Sequence, residues 1–106
     1  MTTFKPLPRN FYMSKYELKR FCENYNLFLL LKPEEQIHIT EQLTDIIDSY
    51  NSGINYGGGF LTAIMTENWY RAEYKADLTN KRCLEIYKDF IHKILPADHE
   101  KILKEF

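Results

Sequence analysis

The chain predicts an all-α fold, a compact bundle of four to five helices with an extended N-terminal arm. Three observations carry that prediction. Apolar residues recur at helical spacing, as at Ile39, Leu43, Ile46, Ile47 and Tyr50. Helix start and stop signals bracket these stripes: Ser14 with Glu17, Pro33, Gly53, Asp77 and Pro96. No segment alternates apolar and polar residues as a half-buried strand does.

Each element follows from its own residues. Residues 1–12 hold Pro6, Pro8 and Asn10 among Phe4, Phe11 and Tyr12, which reads as the extended arm. Ser14-Lys15-Tyr16-Glu17 is a capping box, so a first helix is expected from there to about Tyr25. The run Leu27 to Leu31 reads as a buried helical turn or irregular segment, because no partner strand is visible. Pro33, Glu34 and Glu35 suit the first turn of a second helix, and Gly53 suits the position just past its end. A third helix is expected from about Phe60 to Tyr74. Asp77 then caps a fourth, from about Leu78 to Leu95, which Pro96 stops. Asp98 caps a short last helix carrying Ile102, Leu103 and Phe106.

At 106 residues the chain is expected to form one domain, residues 1–106. It is 44% apolar and 27% charged, a globular composition, and its 15% aromatic content is high. The net charge of −1 disfavours a general nucleic-acid binder. Charge is unevenly spread. Residues 1–32 carry six basic and two acidic groups, and residues 33–52 carry five acidic groups and no basic one. Such segments pair within a chain, pair between subunits, or stay solvated. Broad apolar faces and an aromatic arm point to a homo-oligomer. The five-residue run at Leu27 is far short of the roughly 20 residues needed to span a bilayer, and no apolar leader segment is evident. Cys22 and Cys83 lack CxxC spacing and read as reduced, half-buried thiols. The expected location is the cytoplasm.

The most informative local feature is Gly57-Gly58-Gly59, three of the chain's four glycines, placed where the third helix begins. Glycine permits close backbone approach, and a helix start presents unpaired N–H groups with a partial positive charge. Tyr56 through Gly59 is therefore a candidate anion site. It is neither a P-loop nor a dinucleotide fingerprint, since no Gly-Lys-Ser/Thr and no preceding strand accompany it. A tight packing turn is the competing explanation. Downstream, Asn68, Arg71 and Lys75 fall at i, i+3 and i+7 of the third helix, suited to a base edge and phosphates. Trp69, Tyr70 and Tyr74 offer stacking surfaces. Asp77 and Asn80 cap a helix and can also bind hydroxyl groups. His38, His92 and His99 have no partner at ligand spacing, so no metal, cofactor or catalytic residue is assigned and no enzymatic activity is expected.

Residues 53–96 also resemble a stretch found in small uncharacterised proteins of bacteriophages and prophages. The resemblance rests on Gly53-Ile54, Gly58-Gly59-Phe60-Leu61-Thr62-Ala63-Ile64-Met65, Asn68, Ala72, Ala76-Asp77, Asn80 and Pro96. Tyr74-Lys75 stands where that pattern has glycine and arginine, and Trp69 replaces a smaller aliphatic residue. The resemblance implies a host-directed or defence-related role. With the glycine site, it yields the expectation of a non-catalytic anti-defence protein that sequesters a small anionic nucleotide through Tyr56, Gly57, Gly58, Gly59, Asn68, Trp69, Arg71, Lys75, Asp77 and Asn80. The alternative expectation is an inhibitor or adaptor that binds a host protein through an aromatic surface.

Overall fold

The computed structural model describes residues 10–53 and 59–96. Among these residues the chain is all-α and contains no strand. It comprises α1 (Lys15–Cys22), α2 (Asn26–Leu29), α3 (Pro33–Ser52), α4 (Gly59–Met65), α5 (Trp69–Lys75), α6 (Leu78–Arg82) and α7 (Leu84–Asp89), closed by a π-helical turn over Phe90–Ile94. The helix expected after Asp98, most of the N-terminal arm, and Tyr56, Gly57 and Gly58 lie outside the described residues.

The cap signals act as written. Ser14 Oγ accepts from the Glu17 N–H at 3.1 Å, and the Glu17 carboxylate accepts from the Ser14 N–H at 3.0 Å. Pro33 opens α3, and the Glu35 carboxylate accepts from the Lys32 N–H at 3.0 Å. Gly53 ends α3 in the left-handed region at φ 73°, where its N–H donates to the Ser49 carbonyl. The last residues of the arm are anchored. Phe11 exchanges two backbone hydrogen bonds with the Asn51 amide, at 2.9 and 2.7 Å, and sets its ring edge-on to Tyr50.

α3 is the spine. Its buried stripe of Ile39, Leu43, Ile46, Ile47 and Tyr50 shares one core with Leu18 and Cys22 of α1, Phe28 of α2, Leu61, Ile64 and Met65 of α4, Ile86 and Tyr87 of α7, and Phe90 and Ile91 of the π-helical turn. Burying one such aliphatic side chain stabilises the fold by about 1.5–3 kcal/mol.

Two expected helices are broken. The third does not run from Phe60 to Tyr74; it stops at Met65 and restarts at Trp69. The fourth does not run unbroken to Leu95. It is interrupted at Cys83, whose φ of −109° and ψ of 17° leave helical geometry, and its last turn widens so that the Leu95 N–H donates to the Phe90 carbonyl. The cysteines are also more buried than expected, since both are fully enclosed and free.

Two predictions follow from this interior. Burial pushes the Cys22 thiol up to about 12 and the Cys83 thiol up to about 11. Neither is then a thiolate at mild alkaline pH. Both are expected to stay unreactive toward an aromatic disulfide reagent until denaturant is added, and rapid native-state labelling would contradict this.

The second prediction concerns two carboxylates of α3. The Lys32 N–H and then the Thr79 hydroxyl, at 2.9 Å, hold Glu35 below its ordinary range. Burial, then Asp48 and Glu41, push Asp45 above its range. A depressed carboxyl stabilises the fold above the unfolded-state range and loses that contribution as pH falls. A raised one acts in the opposite sense. In thermal melts at neutral pH, Glu35→Gln is expected to lower Tm and Asp45→Asn to raise it, and both differences should shrink in acid.

Candidate functional site

The chain reverses direction in three residues, Thr66, Glu67 and Asn68. The Asn68 N–H donates to the Ala63 carbonyl at 2.9 Å, and the Glu67 N–H donates to the Ile64 carbonyl at 3.0 Å. This is a Schellman closure of α4. Glu67 occupies the left-handed position at φ 56°, where glycine is usual. Asn68 then begins the next helix as its N-cap, its side-chain oxygen accepting from the Arg71 N–H at 3.2 Å. The Glu67 carboxylate also pairs with His92 Nε2 on the π-helical turn. The result is a short helical hairpin, α4 packed on α5. On α5 only the small Ala72 is buried, which permits close approach.

The hairpin brings two candidate groups together. In one continuous helix, Gly59 and Lys75 would lie about 24 Å apart. Here the aliphatic stem of Lys75 covers Gly59, and a Cβ built on Gly59 would lie 3.5 Å from Lys75 Cδ. That is an ordinary contact, and Gly59 is not at positive φ, so packing does not require glycine there. The Lys75 ammonium sits 5.8 Å from the centre of the Tyr74 ring.

Arg71 and Lys75 are exposed and one turn apart on α5. Beside them, Tyr70 is 87% exposed and Tyr74 is 79% exposed. These two tyrosines, with Glu73, Ala76 and Lys81 of α6, line a shallow hollow of about 390 Å³. Two exposed aromatic rings, Tyr74 with the Lys75 ammonium against it, thus stand near three cations, Arg71 and Lys75 of α5 and Lys81 of α6, with the Glu73 carboxylate on the same hollow.

The remaining sequence candidates sit elsewhere. Asn68 is not on the helical face with Arg71 and Lys75; it caps the helix, and its oxygen is engaged there. Trp69 is half-buried, edge-on to the His92 ring at 6.3 Å, with the Lys88 ammonium 5.4 Å from its centre. Asp77 caps α6, accepting from the Asn80 N–H at 2.7 Å. Its second oxygen lies 3.2 Å from His38 Nε2, without hydrogen-bond alignment. Asn80 is buried, and its oxygen accepts from the Tyr87 hydroxyl at 2.5 Å. That hydroxyl's pKa is raised well above its ordinary value, chiefly by burial. Asn80 therefore serves the core.

Sequence reasoning did not single out Lys81 or the Glu67–His92 pair. Lys81 was visible only as a charge after the Asp77 cap. The pair needed the reversal at Glu67, for which the sequence offers no glycine. Among the described residues no group of three or more His, Cys, Asp or Glu side chains is placed to hold a metal ion, and no helix is long and apolar enough to cross a membrane.

Comparison of the chain with models of protein families, with curated proteins and with solved structures gives no match.

The reversal can be tested through Glu67. Any residue with a Cβ is strained in the left-handed region by about 1–2 kcal/mol, and a β-branched one is the least tolerated there. Glu67 already bears such strain, so Glu67→Gly relieves it while losing the contact to His92, whereas Glu67→Val keeps the strain and loses the contact; Glu67→Val is expected to be less stable than Glu67→Gly by at least that amount. Equal urea midpoints for the two variants would contradict the geometry.

Proposed function

We propose that the protein is a non-catalytic binder of a small anionic nucleotide, with the outer face of α5 as the binding surface. One observation carries this reading: Tyr70 and Tyr74 stand exposed on the same hollow as Lys81, with Arg71 and Lys75 beside them. A planar base has two rings to stack on, and phosphates have three cations within reach of the same face. Gly59 lies under the Lys75 stem, so the start of α4 borders the surface. Tyr70 and Tyr74 take the stacking role in place of the half-buried Trp69.

The resemblance to small phage proteins supports placing this binding in anti-defence: a protein that sequesters a nucleotide signal of the host, in the host cytoplasm, as a homo-oligomer. Sequestration needs affinity and abundance but no bond-breaking step, and no reaction is assigned to the face. A second reading has the same surface engage a host protein. Exposed tyrosines with an arginine among them are the residue types that dominate protein interfaces.

Calorimetric titration with cyclic dinucleotides and ADP-ribose separates these readings. Binding of at least one is expected. Each of Tyr70→Ala and Tyr74→Ala should weaken it roughly 5- to 150-fold, the range for losing one stacked base. Arg71→Ala should weaken it further without altering the far-ultraviolet circular dichroism. Absence of heat with every nucleotide, together with a stable complex on a host protein, would overturn the nucleotide reading in favour of the second.

A further inference from the structure

A groove of about 400 Å³ runs between α1 and α3, away from the α5 face. Its floor is Phe28, and Pro33 and Ile37 form apolar wall. Lys15 and Lys19 stand on the α1 rim, one turn apart, and Glu41 stands on the α3 rim. Ile37 is 57% exposed, a large apolar side chain left at the lip.

The charges on the two rims are opposite yet unpaired. Among the described residues, neither lysine takes an ion pair, and neither do Glu41, Asp45 and Asp48, which follow one another at i, i+4 and i+7 along α3. The carboxylates crowd one another, and Asp45 is pushed up for that reason after its burial. The basic and acidic segments of the sequence therefore do not neutralise each other within the described chain. Of these groups Lys15, Lys19 and Glu41 flank the apolar groove.

We infer that this groove is the contact face between two copies of the chain. A two-fold axis running along the groove exchanges its rims, so that Lys15 and Lys19 of one copy lie over Glu41 of the second copy, and the reverse. The same operation lays Ile37 of each copy on the α1 rim of the other, where the aliphatic stems of Lys15 and Lys19 offer apolar surface. A closed, self-complementary contact results, in which the two lysines of each copy face Glu41 of the other. A rotation about the perpendicular in-plane axis would instead set lysine on lysine, so the charge pattern selects one arrangement. This rests on the homo-oligomer part of the proposed function and names its surface. It does not depend on the ligand.

The 106-residue chain should run as a dimer in sedimentation velocity at high micromolar concentration, with dissociation favoured by salt. Ile37→Lys, which sets a further cation against Lys15 and Lys19 of the other copy, should halve the mass with unchanged circular dichroism. Reversing the basic rim with Lys15→Glu and Lys19→Glu should also give monomer, and adding Glu41→Lys to that double variant should restore the dimer. A wild-type monomer at all concentrations overturns the inference. So does a dimer that survives Ile37→Lys, or charge reversal without rescue. Nucleotide titration of the Ile37→Lys monomer reads the α5 face alone, so failure of the dimer and failure of the ligand reading remain distinguishable.

Discussion

The turn through Thr66, Glu67 and Asn68 is the constraint on which the functional face depends. Without it α4 and α5 would be one rod, with its glycine start and its cations at opposite ends. With it, the end of α5 returns to the beginning of α4, and Lys75 lies over Gly59. The turn is held in spite of a local cost. A non-glycine residue in the left-handed region costs about 1–2 kcal/mol. Two closing backbone hydrogen bonds, the Asn68 cap and the Glu67 contact to His92 offset it. A cap of this kind contributes about 1 kcal/mol. The strained residue is thus fixed from two directions, by its own backbone and by the π-helical turn at the far end of the chain.

That second link ties the hairpin to the rest of the molecule. His92 belongs to the segment that buries Phe90 and Ile91 in the core, so the turn is registered against the interior. The following stretch is registered in a similar way. Asp77 caps α6 and faces His38 of α3, while Asn80 reaches across the break at Cys83 to Tyr87. These polar groups hold α6 and α7 so that Lys81 points into the α5 hollow. Their service is positional, which is why residues expected to touch a ligand are engaged in internal hydrogen bonds.

Much of the fold was legible in the sequence, for reasons that can be named. Ser14, Glu17, Pro33, Gly53 and Asp77 each solve a local problem of unpaired backbone groups, and their chemistry reads without tertiary context. The α3 stripe was legible because twenty residues give helical periodicity room to show. The break at Glu67 was not, because glutamate carries no signature of left-handed geometry and the apolar spacing continues across it. The kink at Cys83 and the widened turn at Phe90 were hidden for the same reason: packing imposes both. In the site, the i, i+4 pairing of Arg71 and Lys75 was legible. The exposure of Tyr70 and Tyr74, the burial of Asn80 and the retreat of Trp69 were not, since each depends on how α5 is rotated once the hairpin closes.

The central claim is that the hairpin places Lys75 on Gly59. A nuclear Overhauser spectrum of isotopically labelled protein measures this directly. The account predicts cross-peaks between the Gly59 α-protons and the Lys75 side-chain methylenes, with the medium-range helical pattern interrupted at Glu67. An unbroken helical pattern from Phe60 through Tyr74, with no Gly59–Lys75 cross-peak, would contradict it.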